Sequence, residues 1–174
     1  MASHRVFADV AERSKTSMGW FYGFRLHLVI NHTGALLDVA LTPGNIDDRK
    51  PLRTFAERLH GSLYGDRGYL SKAIREALRE QGVNLVYKVR KNMKSLDLSV
   101  SDEVLLKKRV LIESVIRELK TQMQVEHTRK PRSFENFHVN VFSALIAYQL
   151  LENKTALNIH ELQQTHDLQM LDTP

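Results

Sequence analysis

Leu63–Tyr69 reads LYGDRGY, an apolar pair running into a glycine-flanked acid, Asp66. A short buried strand that ends this way places a carboxylate at the edge of a sheet. Glycine lets the chain turn sharply there and lets a ligand come close. Taken alone, Asp66 reads better as a polar loop acid. A second acid, Glu113, follows 47 positions later in a charged helical stretch, and the pair gives the first a possible purpose.

Outward from Asp66 the pattern is that of an α/β chain. Phe24, Leu26, Leu28 and Ile30 alternate with Arg25, His27 and Val29, a period of two that predicts a strand. Asn31–Gly34 is turn chemistry, and Ala35–Leu41 is a second strand completing an antiparallel hairpin. After Thr42-Pro43-Gly44-Asn45, a helix capped by Asn45 or Asp47 buries Leu52, Phe55, Ala56 and Leu59. Beyond the Asp66 strand, Ser71 caps a helix over Lys72–Gln81 that stops at Gly82, and Val83–Val89 alternates as a strand. Arg90–Ser101 reads as a basic loop, Asp102–Met123 as one long helix, and Phe134–Leu151 as a last amphipathic helix. Along Asp102–Met123, Arg109, Glu113 and Lys120 fall within about 40° of one another on a helical projection. Met1–Met18 has no period and reads as a polar arm, so no strand is expected before Trp20. Trp20, Phe21 and Tyr22 read as core rather than a base-stacking platform. Residues 153–174 read as a polar, loosely held tail around a single domain over 19–152.

The 174 residues suffice for one domain with a real core, and 43% hydrophobic content excludes a disordered chain. The absence of cysteine excludes a disulfide framework and thiolate metal sites and suits a reducing compartment. No apolar run approaches the roughly 20 residues of a membrane span, and the polar start does not read as a secretory signal. A cytoplasmic protein with no membrane partner is therefore expected. Net charge is +5, and the excess is concentrated: Val86–Ser133 holds 12 Lys and Arg against 6 acids. Such a segment suits a polyanion such as nucleic acid, or is simply a solvated surface. Two carboxylates beside it suit divalent-metal phosphodiester chemistry, because Mg²⁺ prefers hard oxygen ligands. Equally, Glu113 could pair with Arg117 and Arg109 one turn away on a solvated face. His27 reads as a hydrogen-bonded strand histidine or a DNA contact rather than a metal ligand, and Asp47-Asp48 as a helix cap.

LYGDRGY followed by KKRVLIESVIRELK resembles the DDE transposases of bacterial insertion sequences. GWFYGFRLHLVIN, LTPGNIDDRKPL, LVYKVRKNMK and FHVNVFSALIAYQLL extend the resemblance from about His4 to Leu151. It implies a ribonuclease-H-like mixed sheet with flanking helices and metal-dependent DNA cleavage and joining. The partners it implies are the element's ends and a DNA target. Asp66 matches the second catalytic acid and Glu113 the third, the ligands of two Mg²⁺ or Mn²⁺ ions in a complete member. Arg109 and Lys120 match the basic residues flanking that Glu, with Leu106 where a Tyr is common; Arg25 and His27 match a basic-x-His pair near the active site. Lys88, Arg90 and Lys91 are further candidate DNA contacts.

The first acid of the family sits on a central strand before the hairpin, and Asp9, Asp38, Asp47 and Asp48 are not placed like it. The expectation is a domain lacking that strand, truncated at its N-terminus, weakly binding metal, inactive alone and prone to self-association. The alternative is a non-catalytic DNA-binding or oligomerising remnant that modulates a full-length transposase. A third reading is an unrelated ribonuclease-H-like nuclease taking an acid from elsewhere in the fold.

Overall fold

A computed structural model describes residues 5–16, 19–66, 71–88, 98–126 and 133–158. They divide into two compact units. One draws on the described residues up to Asp47 and from Ile112 to Thr155, the other on those from Asp48 to Leu111 and from Ala156 onward. Each combines strands with helices, so the α/β class holds, and among the described residues the strands form two sheets.

The first unit hangs on a 12-residue strand, β2 (Gly19–Ile30). Its C-terminal half pairs antiparallel with β3 (Leu36–Pro43), from Phe24 opposite Pro43 to Ile30 opposite Leu36. Its N-terminal half pairs with β1 (Glu12–Thr16), from Gly23 opposite Glu12 to Gly19 opposite Thr16. A strand therefore precedes Trp20, contrary to the expectation of a featureless arm. β1 is entirely polar (ERSKT) and lies at the sheet edge, so it shows none of the apolar alternation that marks a half-buried strand. A single 3₁₀ turn, Arg5–Phe7, leads into it.

One face of β2 and β3 presents Leu26, Leu28, Ile30, Leu36 and Val39 to the helices α4 (Leu111–Thr121) and α5 (Phe134–Gln149). Val115 and Leu119 of α4 and Val141, Leu145 and Tyr148 of α5 are buried there, each fully buried aliphatic contributing about 1.5–3 kcal/mol. At the cluster's margin Phe24 stacks on Phe137 with ring centroids 4.9 Å apart, and Phe7 meets both edge-on at 5.5 and 5.2 Å. Ser133 caps α5 by accepting from the Asn136 N–H. Helix α5 also leaves Val139, Phe142, Ile146 and Leu150 exposed on a second side.

The β2–β3 turn follows its sequence. Asn31 Oδ1 accepts from the Thr33 N–H (3.0 Å), the Thr33 hydroxyl (2.7 Å) and the Ala35 N–H (2.9 Å). Gly34 takes φ of +76°, and its carbonyl accepts from the buried Tyr148 hydroxyl at 2.7 Å. The start of the C-terminal tail is tied in as well, since Thr155 Oγ1 donates to Glu118 and the Lys154 ammonium to the Leu151 carbonyl. Of the tail expected after Glu152, residues 159–174 lie outside the described residues.

The second unit is a parallel pair, β4 (Gly61–Gly65) and β5 (Val83–Tyr87), in register from Gly61–Val83 to Gly65–Tyr87. Parallel pairing requires a crossover, supplied by α2 (Lys72–Glu80), which Ser71 caps and Gly82 ends at φ +81° as its sequence predicts. Val83, Leu85, Val86 and Tyr87 are buried with Ile74 and Leu78 of α2 and Leu52, Phe55 and Ala56 of α1 (Arg49–Ala56). Asp48, not Asn45 or Asp47, holds the N-cap position of α1, and its side chain makes no capping bond.

Two further expectations fail, the first through tertiary packing. The long helix expected over Asp102–Met123 is two helices, α3 (Val100–Lys108) and α4, parted at Arg109–Val110. Neither proline nor glycine stands at the break. Leu106 of α3 is buried beside β4 and β5, whereas Val115 and Leu119 of α4 serve the first unit's core. Trp20, expected in a core, is 51% exposed.

Tyr148→Phe keeps the ring's packing and removes the donor to Gly34. It should cost about 1–2 kcal/mol in chemical denaturation. Gly34→Ala should cost more, because φ is positive and the Thr155 carbonyl stands where a Cβ would go. Unchanged midpoints for both variants would contradict this account.

Candidate functional site

In the second unit Asp66 follows directly on the C-terminal end of β4, as LYGDRGY predicts, with its side chain 63% exposed. Arg109, the C-cap residue of α3, brings Nη2 to 3.5 Å from Asp66 Oδ1. Lys107 and Lys108 precede it in the last turn, where the helix dipole favours cations. A pair this exposed contributes under about 1 kcal/mol.

The other end of α3 is held by a network that sequence reading missed. Ser99 accepts from the Asp102 N–H (3.1 Å) and donates its hydroxyl to Asp102 Oδ2 (2.7 Å). Tyr64, two residues before Asp66 on β4, donates its hydroxyl to Asp102 Oδ1 at 2.8 Å. Burial, then the hydrogen bond and charge of Asp102, push the Tyr64 phenol up to about 12. Hydrogen bonds from Ser99 and then Tyr64 hold the Asp102 carboxyl below its ordinary value. The signal was present as Ser99-x-x-Asp102, a capping-box pattern that starts the helix two residues before the expected Asp102. Helix α3 is thus pinned to β4 at both ends, by Tyr64–Asp102 and by Asp66–Arg109.

Glu113 belongs to the first unit, in the opening turn of α4, where an acid complements the helix dipole. It is exposed and makes no ion pair among the described residues, so the alternative pairing with Arg117 and Arg109 is not formed. Because Arg109 lies at the α3–α4 break, it does not share a helical face with Glu113 and Lys120. Lys120 Nζ instead meets Glu126 Oε1 at 2.6 Å. Arg25 Nη2 donates to Ser14 Oγ at 3.1 Å, with the guanidinium 5.9 Å from the Phe21 ring. His27 is buried, with Nε2 2.8 Å from Thr42 Oγ1. Lys88 is exposed just past β5, and Arg90 and Lys91 lie outside the described residues.

Asp66 and Glu113 are hard oxygen donors of the type Mg²⁺ prefers. Each unit supplies one of them, and no group of three His, Cys, Asp or Glu forms among the described residues. The donor chemistry fits a divalent ion, while the described residues do not assemble a full ligand set.

The depressed Asp102 carboxyl gives a pH dependence of known sign. A carboxyl with a lowered folded-state pKa stabilises above its unfolded value, about 3.9, and loses that contribution as pH falls through the folded one. Acidification below about pH 4 should therefore loosen α3. Asp102→Asn should flatten that limb of a stability–pH curve, and Ser99→Ala should cost about 1 kcal/mol at neutral pH. An Asp102→Asn curve overlaying the parent would refute the network's role.

Among the described residues no helix is long and apolar enough to cross a membrane. No curated protein and no solved structure gives a significant match to the chain. The family model described as transposase DDE domain matches residues 1–133, most of the chain and both candidate acids. With an acid at a strand end and another in a downstream helix inside that match, the chain belongs to the transposase DDE domain family.

Proposed function

We propose that this chain is a ribonuclease-H-like DDE transposase domain acting in metal-dependent cleavage and joining of DNA strands. The observation that carries the reading is the family match, which spans both Asp66 and Glu113. In this reading Asp66 and Glu113 are the second and third carboxylates and bind Mg²⁺ or Mn²⁺, which would polarise the scissile phosphate and its attacking oxygen. Arg109 orients Asp66 until phosphate competes for it. In the same reading Lys88, Arg90, Lys91, Lys120 and Arg25 are contacts to the DNA backbone. His27 supports the strand from within, through Thr42. A DNA partner places the protein with the chromosome, in the bacterial cytoplasm.

We further propose that the 174 residues alone cut DNA poorly. In this reading neither Asp9, in a turn ahead of the polar edge strand, nor Asp38, whose Oδ1 accepts from the Val39 N–H, serves as the family's first acid. Metal binding would then be weak. The exposed α5 residues Val139, Phe142, Ile146 and Leu150 favour a second reading, in which the domain associates with itself or with a complete transposase and modulates it.

Two measurements test this. Duplex DNA binding should fall steeply with salt, with a log–log slope near −4.5 if about five phosphates are neutralised. Lys88→Gln should lower that slope by about 1. Mg²⁺-dependent nicking should be near background. Strong nicking abolished by Asp66→Ala would overturn the inactivity and uphold the chemistry, whereas salt-insensitive binding or none would overturn the DNA reading.

A further inference from the structure

Residues directly opposite in an antiparallel pair share a face, so Lys15 with Trp20 and Arg13 with Tyr22 lie on one side of the β1–β2 ladder. Tyr22 turns its hydroxyl to the Phe7 carbonyl at 2.8 Å, and Phe24, next on the same face, is packed among Phe7, Phe134 and Phe137. Trp20 is the member of this row left in the open, 51% exposed. The ring partners it has are cations. Arg13 Cζ stands 4.5 Å from the ring centroid and Lys15 Nζ 5.7 Å, with both side chains exposed. The acid of β1, Glu12, alternates to the opposite face.

An exposed indole beside two cations, with no acid on its face of β1, suits a flat aromatic group carrying negative charge. A nucleotide has both parts. In a duplex the base faces are taken up by stacking, and only an unpaired base can lie on a side chain. We propose that the Arg13–Lys15–Trp20 face holds an unpaired DNA nucleotide, its base on the indole and its flanking phosphates on Arg13 and Lys15. This rests on the DNA reading above and adds to it a strand-selective contact outside the carboxylates and their basic partners.

Trp20 is the sole tryptophan of the chain, so its fluorescence reports this face alone. The experiment titrates the full chain with a short oligothymidine and with a blunt duplex of equal length. Tryptophan emission is followed beside the anisotropy of labelled DNA. The single strand should quench Trp20, and the duplex at equal occupancy should not. Trp20→Ala should weaken single-strand binding roughly tenfold, with Trp20→Phe recovering part of it. Arg13→Gln with Lys15→Gln should reduce its salt dependence. All these side chains are exposed, so circular dichroism should be unchanged. Single-strand binding with emission unmoved and Trp20→Ala equal to the parent would overturn the face and leave the DNA reading standing. Failure to bind either DNA would overturn both.

Discussion

The register of β2 is the constraint on which the first unit depends. Side chains on a strand alternate, so a slip of one residue would exchange Phe24, Leu26, Leu28 and Ile30 for Arg25, His27 and Val29 beneath the helices. Two features hold it. The Asn31–Gly34 turn satisfies its own polar groups in one geometry, and the Tyr148 hydroxyl reaches the Gly34 carbonyl. His27 and Val29 are themselves buried, so the strand answers to packing on both sides. The same register decides that Trp20, at the far end of the helix-facing row, stands clear.

The second unit solves a different problem. A parallel pair has no tight-turn solution, and its crossover leaves the C-terminal strand ends together, where β4 delivers Asp66. A carboxylate on so short an element needs an external reference. Helix α3 provides one by bonding to β4 at two points 38 and 43 residues on in sequence, Asp102 to Tyr64 and Arg109 to Asp66. Arg109 has its place in that arrangement as a helix-end cation, and Leu106 has its place as buried apolar packing.

Periodicity made most elements legible: the β2–β3 hairpin, the Ser71-capped crossover, the strand leading to Asp66 and the inward face of α5 all follow from it. It failed where local pattern and tertiary role diverge. β1 pairs through its backbone at an edge, so its side chains needed no apolar alternation. The α3–α4 break has no breaker residue because two cores, and not a local signal, impose it. Arg109 therefore joined Asp66 instead of Glu113, an outcome a single helical projection could not contain. Tyr64–Asp102 was half visible, since the capping box fixes Asp102 but nothing local says which strand it will meet.

Helix α5 carries apolar residues nearly all round, with Val141, Leu145 and Tyr148 on one side and Val139, Phe142, Ile146 and Leu150 on another. Hydrophobicity alone barely distinguishes one rotation of such a cylinder about its axis from the next. Polar groups have to choose: the Tyr148 hydroxyl has its acceptor at Gly34, and the Gln149 side chain accepts from the Leu36 N–H at 2.9 Å. These bonds act as a key in a lock of grease. Their removal would cost the helix its single rotational state before it cost the domain its compactness.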